Sequence, residues 1–272
     1  MSRTQTTISG EPRIRILGSE VHLVSVDRTV DYIERWIEER TGDCHRVVVT
    51  GFHGLWEAYK NPCLRMIFSS ADLWVPDGIA PVWVARIRHY KDVERSPGAE
   101  IMNNFFGRAD TKKYRSYFYG DTEATLGALQ ASLAASYPGH EVAGVFSPPF
   151  RSLTPDEDKE AIERINAAHP DILWVGLGLP KQEIWIYERR DQLKVPVVIG
   201  VGAAFRFIAG TVPRCPNWLG SLGFEWAYRL LKEPDKLWRR DVLDGPRFLF
   251  HLGLELLRGD GTISNKANSE EA

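Results

Sequence analysis

The sequence predicts an α/β fold with a mostly parallel sheet covered by helices on both faces, followed by a helical appendage at the C-terminus. Two observations predict it. Short β-branched and aromatic runs alternate with helix-length segments from about residue 13 to 210, and strands separated by helices need crossover connections, which make neighbouring strands parallel. Several of these runs are apolar throughout and end in glycine, as in "DILWVGLG" and "VPVVIGVG". A strand without polar alternation is one buried on both faces. The arrangement is Rossmann-like.

In order, strands are expected at 13–17 with 21–26, then at 45–51, 72–75, 116–120, 141–146, 171–178 and 195–202, where the side chains suit a pleated, packed surface. Helices are expected between them at 27–41, 53–69, 78–90, 99–109, 122–136, 155–168 and 181–192. The clearest start signal is "SLTPDEDKE": Thr154 offers a side-chain cap, Pro155 suits a first helical position, and three acids follow in the first turns. After Gly210 no strand is evident. Clustered aromatics and arginines read as two or three helices, broken at Pro234 and at Gly245-Pro246. Rings mixed with basic residues suit a membrane interface, although Glu225, Glu233, Asp235, Asp241 and Asp244 offset much of the charge and the rings also fit packing on the core. The domain reading is a polar disordered tail over 1–12, an α/β core over 13–210, a helical membrane-associating appendage over 211–258, and a second disordered tail over 259–272.

The bulk composition excludes more than it selects. With 34 basic against 36 acidic residues the net charge is −2, without the basic excess of a nucleic-acid binder. No nucleic-acid partner is expected. Cys44, Cys63 and Cys215 form neither a metal spacing nor a disulfide framework, which favours a reducing compartment. No apolar run reaches the roughly 18 residues of a membrane span, and "MSRTQTTISGEPR" lacks the apolar stretch of a signal peptide.

Ligands on open parallel sheets bind beyond the carboxyl ends of the strands. That rule selects Thr50, Asp77, Gly120, the 147–150 loop and the turns at 176–183 and 200–206. Neither glycine turn completes the three-glycine dinucleotide fingerprint, because Lys181 and Phe205 stand where the third glycine belongs. A nicotinamide-dependent oxidoreductase is therefore disfavoured, and no cofactor is expected. What remains in "VGLGLPKQEIWI" is a small-residue turn, Pro180 at a first helical position, and helix N–H groups able to receive an anion such as a diphosphate. A tight turn with no ligand stays open as the other reading.

Asp77 ends a strand and precedes Gly78 and a helix. It reads either as a cap for that helix or as a general base for a substrate hydroxyl. Arg95, Arg214, Arg229, Arg239 and Arg240 are the cations suited to phosphate, since a guanidinium pairs two oxygens at once, although each also fits a surface ion pair. The histidines are dispersed and no D-x-D follows a strand, so no metal site is expected.

Six blocks stand in a telling order: "WVPDGIAPVWVAR", "ERSPGAEIM", "YPGHEVAG", "VGLGLPKQEIWI", "GVGAAFRFIAGTVPRCP" and "GFEWAYRLLKEPDKLWRR". Together they resemble the WecG/TagA/CpsF glycosyltransferases, glycosyltransferase family 26, over roughly residues 45–240. The resemblance implies an inverting, metal-independent enzyme of cell-envelope polysaccharide biosynthesis. It implies transfer of N-acetylmannosamine, or its uronic acid, from a UDP-sugar to a polyprenol-diphosphate-linked sugar. The enzyme is expected to be cytoplasmic and peripheral on the inner membrane face. Its partners are then the donor, the lipid-linked acceptor and the membrane surface, with a homo-oligomer left open.

Carried over by motif, Asp77 becomes the base, with Thr50, Arg95 and Gln182 in the catalytic set. Gly78, Gly178, Pro180, Lys181, Glu183, Gly202, Phe205 and Arg206 become substrate-binding, joined by Gly120 from the strand-end rule, and Arg229, Arg239 and Arg240 meet a diphosphate, with Arg214 a further phosphate candidate. Two positions depart from the family pattern. Many members read T-x-N where this chain has Thr50-Gly51-Phe52, and F-D where it has Phe205-Arg206. Arg206 suits an acidic donor or an extra phosphate on charge alone. A nucleotide-sugar binding module that has lost catalysis is the rival reading.

Overall fold

Strands form where β-branched and aromatic residues concentrate. The computed structural model describes residues 10–90, 93–213, 215, 225–232, 235 and 238–258, with the backbone alone at 225, 226, 229 and 240. β1 (Arg13–Ile16) and β2 (Ser19–His22) make an antiparallel hairpin. β3 (His45–Thr50), β4 (Leu73–Pro76), β5 (Arg115–Gly120), β6 (Glu141–Phe146), β7 (Ile172–Gly176) and β8 (Val197–Gly200) make a six-stranded sheet in the order β4-β3-β8-β7-β5-β6. The β3–β8, β8–β7, β7–β5 and β5–β6 pairings are parallel, as the crossovers demand.

The helices are α1 (Val26–Glu39), α2 (Phe52–Lys60), α3 (Pro62–Ser69), α4 (Ile79–Ile87), α5 (Gly98–Lys112), α6 (Glu123–Ser136), α7 (Pro155–Ala167) and α8 (Lys181–Arg189). A short α9 (Ala204–Ile208), α10 (Glu225–Lys232) and α11 (Gly245–Arg258) follow. Thr154 caps α7 in a reciprocal capping box with Glu157, as its sequence signal requires. The single helix expected over 53–69 is two, because Asn61 precedes Pro62 and is held extended, from where its side chain caps α3 through the N–H groups of Cys63 and Leu64. The break expected at Gly245-Pro246 is a change of helix type: a π-helical stretch, Arg239–Asp244, gives way there to α11. Pro234 and the tails at 1–9 and 259–272 lie outside the described residues.

The chain folds as two units, one of residues 1–25, 50–96 and 214–272, the other of 26–49 and 97–213. In the second unit the strands use both faces. Tyr117, Tyr119, Leu173, Val175 and Val198 join Ile162 and Ile165 of α7 and Ile186 of α8 in one cluster. The alternate residues Phe118 and Trp174 pack instead on the rings of Phe106 from α5, and Phe118 also on Phe205 of α9. Strict alternation of side chains along a strand makes this two-sided burial automatic.

In the first unit the described part of the C-terminal stretch is packed, not pendant. Phe248 and Leu252 of α11 are buried. The Phe248 ring lies 5.8 Å from that of Phe52, and His251 lies 5.5 Å from Trp56 and 5.1 Å from Tyr59, all three on α2. The Glu255 carboxylate accepts from the Leu17 N–H at 2.6 Å and from Arg88 at 3.1 Å.

Candidate active site

In the first unit, backbone hydrogen bonds bring three of the candidate residues to neighbouring positions. The Asp77 N–H donates to the Thr50 carbonyl at 3.2 Å, which ties the end of β4 to the end of β3. The Ser96 N–H donates to the Pro76 carbonyl at 2.8 Å, which sets Arg95 beside the same strand end. Ser96 is itself fixed by its hydroxyl, which donates to the Val24 carbonyl. Thr50 is buried and its side chain lies on the first turn of α2, where a Cβ at Gly54 would sit 2.0 Å from its hydroxyl oxygen. Asp77 is half-buried. The N-cap of α4 is Gly78, with φ of 90°, so Asp77 stands one residue outside the helix and not at its cap.

In the second unit, Gln182 joins the two glycine turns. Its side-chain oxygen accepts from the Gly178 N–H at 3.2 Å and from the Gly202 N–H at 3.1 Å, and its amide donates to Glu183 at 3.2 Å. Gln182 is buried, and Glu183 is 0% exposed. Burial pushes the Glu183 carboxyl above the usual carboxylate range, against the pull of Arg46, whose guanidinium donates to it at 3.0 Å. Phe205 is also 0% exposed, and a Cβ at Gly176 would lie 2.6 Å from its ring. Glu183 and Phe205 thus hold the turns from behind, while Gly178, Pro180 and Gly202 are half-buried and Lys181 is exposed. Gly120 is buried at the end of β5, where its N–H neighbour Asp121 donates to the Gly176 carbonyl.

The start of α8 differs from expectation. Pro180 is the N-cap, and the N–H groups of Gln182 and Glu183 donate to the carbonyls of Gly178 and Pro180. Two of the amides expected to face an anion are therefore used by the turn itself. Arg206 differs too, for its guanidinium donates to the Asp121 carboxylate at 2.8 Å. The Arg206 charge is compensated by Asp121, the residue after β5.

Among the described residues, one group brings potential metal-ligand atoms of three side chains within 4.8 Å of one another: His53, Glu57 and Asp244, in the first unit. The Lys60 ammonium lies 2.7 Å from Glu57 and 3.7 Å from Asp244, so a cation of the chain already sits on these acids. Arg214 lies outside the described residues, as do the side chains of Arg229 and Arg240. Arg239 is exposed, with its guanidinium 6.0 Å from the Trp238 ring centre.

Residues 14–261 match the family described as Glycosyl transferase WecG/TagA/CpsF family. The chain belongs to this glycosyltransferase family. It is similar to an N-acetylglucosaminyldiphosphoundecaprenol N-acetyl-beta-D-mannosaminyltransferase of Bacillus spizizenii, 32% identical over 194 residues that cover 71% of this chain and 73% of that one. Proteins of the same name from Bacillus subtilis and Staphylococcus aureus are 29% and 25% identical, over 80% and 85% of this chain and 82% and 88% of theirs. The glycosyltransferase carries the P-D-G block around Asp77 in the first unit and the P-K-Q-E block around Gln182 in the second.

Several residues that organise this WecG/TagA/CpsF member escaped the motif reading. Arg46 is a charge inside the apolar run "HRVVVT", and a fully buried charge needs a partner. That signal was present. Gly51 and Gly54, flanking Phe52 and His53, carried a weaker one, since nothing local says that Asp77 and Thr50 crowd them.

Proposed function

We propose that this enzyme transfers N-acetylmannosamine from a UDP-sugar to a polyprenol-diphosphate-linked sugar, with inversion at the anomeric carbon and without a metal ion. The observation that carries this reading is the position of Asp77. It is half-buried at a strand end, one residue outside α4, with its backbone tied to Thr50. The names of the relatives support the sugar and the lipid carrier.

In the proposed step the Asp77 carboxylate takes the proton from the acceptor hydroxyl. The oxygen forms the new bond to the anomeric carbon from the face opposite the diphosphate, and the bond to UDP breaks with both electrons leaving on UDP. Arg95, together with Arg214, Arg229, Arg239 and Arg240 of the C-terminal block, offsets the charge that grows on the leaving diphosphate. Fixed charges and dipoles of this kind are usually the largest catalytic term. Because Arg206 is paired with Asp121, a neutral donor is favoured over a uronic acid.

The lipid-linked acceptor places the reaction at a membrane, and we propose peripheral binding on the inner face. No helix among the described residues is long and apolar enough to cross one. Leu231, Trp238, Val242, Leu249, Phe250 and Leu257 are exposed on the C-terminal helices, alongside Arg239, Arg247 and Arg258, a mixture suited to headgroup level. The test is transfer of labelled sugar from UDP-N-acetylmannosamine to a synthetic polyprenol-diphosphate N-acetylglucosamine. A product with the inverted linkage supports the proposal. Donor binding without transfer or hydrolysis supports the inactive-module rival.

A further inference from the structure

We propose that the buried Arg46–Glu183 ion pair is a positioning device for the transfer reaction, which fixes the Gln182 amide in the one orientation that holds the turns after β7 and β8 together. The inference rests on the reading of those turns as part of the sugar-nucleotide site. One Glu183 oxygen accepts from Arg46 at 3.0 Å and the other from the Gln182 amide nitrogen at 3.2 Å. A side-chain amide has a donor end and an acceptor end. With the donor end held by Glu183, the oxygen is turned to the N–H groups of Gly178 and Gly202. The flipped amide would set NH₂ against two N–H groups and oxygen against a carboxylate. The turns so joined are left-handed at Gly178, with φ of 79°, and at Gly202, with φ of 54°.

The space behind the pair is closed as well. A Cβ at Gly200 would lie 2.5 Å from a Glu183 oxygen and 2.7 Å from the Gln182 amide nitrogen. Arg46 and Glu183 are both 0% exposed, so neither touches substrate; each acts through Gln182. Stability alone is a poor reason for the pair, because replacing a buried ion pair by apolar residues of similar size is often neutral or stabilising. An arginine in the valine-rich β3 fits specification of one geometry better.

The test replaces the pair as a whole, with Arg46→Met/Glu183→Leu, and compares it with Gln182→Leu and with the triple variant. The double variant is expected to fold with a melting temperature near that of the wild type. Hydrogen exchange at the Gly178 amide should rise about tenfold, since its acceptor is no longer held, while the Gly202 amide keeps its second acceptor, the Val175 carbonyl. Transfer efficiency should fall by about tenfold or more, as expected when supporting groups shift a site. Adding Gln182→Leu should then change either quantity by less than about twofold, the non-additivity of residues that act as one unit. A double variant that fails to fold, exchanges at the wild-type rate or transfers at the wild-type rate overturns the proposal, as does an additive triple variant. The exchange measurement needs no substrate. A wild-type protein inactive with UDP-sugars would therefore sink the functional reading while the exchange data still judge the pair.

Discussion

The Asp77 carbonyl occupies the space where a side chain at residue 51 would begin: a Cβ on Gly51 would lie 2.1 Å from that oxygen. The glycine after Thr50 is thus fixed by the proposed base and not by a turn. Gly51→Ala must push the end of β4 aside, because the atom it meets is backbone. It is expected to cost about 1–3 kcal/mol of stability, as overpacking does. Transfer should fall by about 10²-fold, the effect of misplacing a reacting group by an ångström. Thermal unfolding and steady-state transfer rates check both expectations, and an alanine variant with unchanged turnover would detach Asp77 from the geometry described.

Arg206 and Asp121 make a second testable pair. Arg206→Met leaves the nearly buried Asp121 carboxylate without this donor and should destabilise the protein by about 1–3 kcal/mol. Asp121→Asn in the same chain should recover most of that loss. Asparagine tolerates the left-handed backbone at this position, where φ is 57°. Compensation of the arginine charge also predicts higher transfer efficiency with UDP-N-acetylmannosamine than with its uronic acid. A preference for the uronic acid in a direct competition assay would contradict that assignment.

Most of the fold was legible in the sequence because the strands are apolar on both faces and the helices carry their own start signals, as at Thr154. The site was legible in part. Asp77, Thr50 and Gln182 stand in short ordered blocks, yet what each one does was not written locally. Gln182 reads as a substrate contact from its motif, whereas its oxygen accepts from the backbone N–H groups of Gly178 and Gly202, in turns 24 residues apart. Glu183 reads as a substrate contact from its motif and proves to be the partner of Arg46, 137 positions away. Long-range pairing of this kind leaves no periodicity, and only the oddity of an arginine within β3 hinted at it.

His22, which is buried, and His140, which is half-buried, set an acid limit on stability. Burial lowers His22, whose ring accepts from the Trp74 N–H, from 6.5 to about 4, and lowers His140, set among Phe105 and Phe106, from 6.5 to about 4. The folded state favours the neutral ring while the unfolded chain takes up the proton. The stability linked to each histidine is therefore complete above pH 6.5, falls as the pH drops below it, and is lost by about pH 4. Melting temperatures across that window should decline more gently in His22→Asn and His140→Phe. Parallel declines in variants and wild type would assign the acid sensitivity elsewhere.

A chelator should leave transfer unchanged. The His53, Glu57 and Asp244 group carries the Lys60 ammonium on its acids, and a fixed cation there competes with a divalent ion for the same oxygens. Loss of activity in EDTA, restored by Mg²⁺ or Mn²⁺, would require a metal in the mechanism.

Exchanging the Asp77 carboxylate for an amide of nearly the same shape tests the central claim most directly. Asp77→Asn keeps the backbone bond to Thr50 and removes the negative charge together with the ability to take a proton. Donor binding, followed by the thermal shift that UDP-N-acetylmannosamine produces, is expected to match the wild type. Single-turnover transfer to the lipid-linked acceptor is expected to fall by about 10²–10⁴, the range for loss of a general base. Transfer by Asp77→Asn at the wild-type rate, with binding intact, would contradict the account.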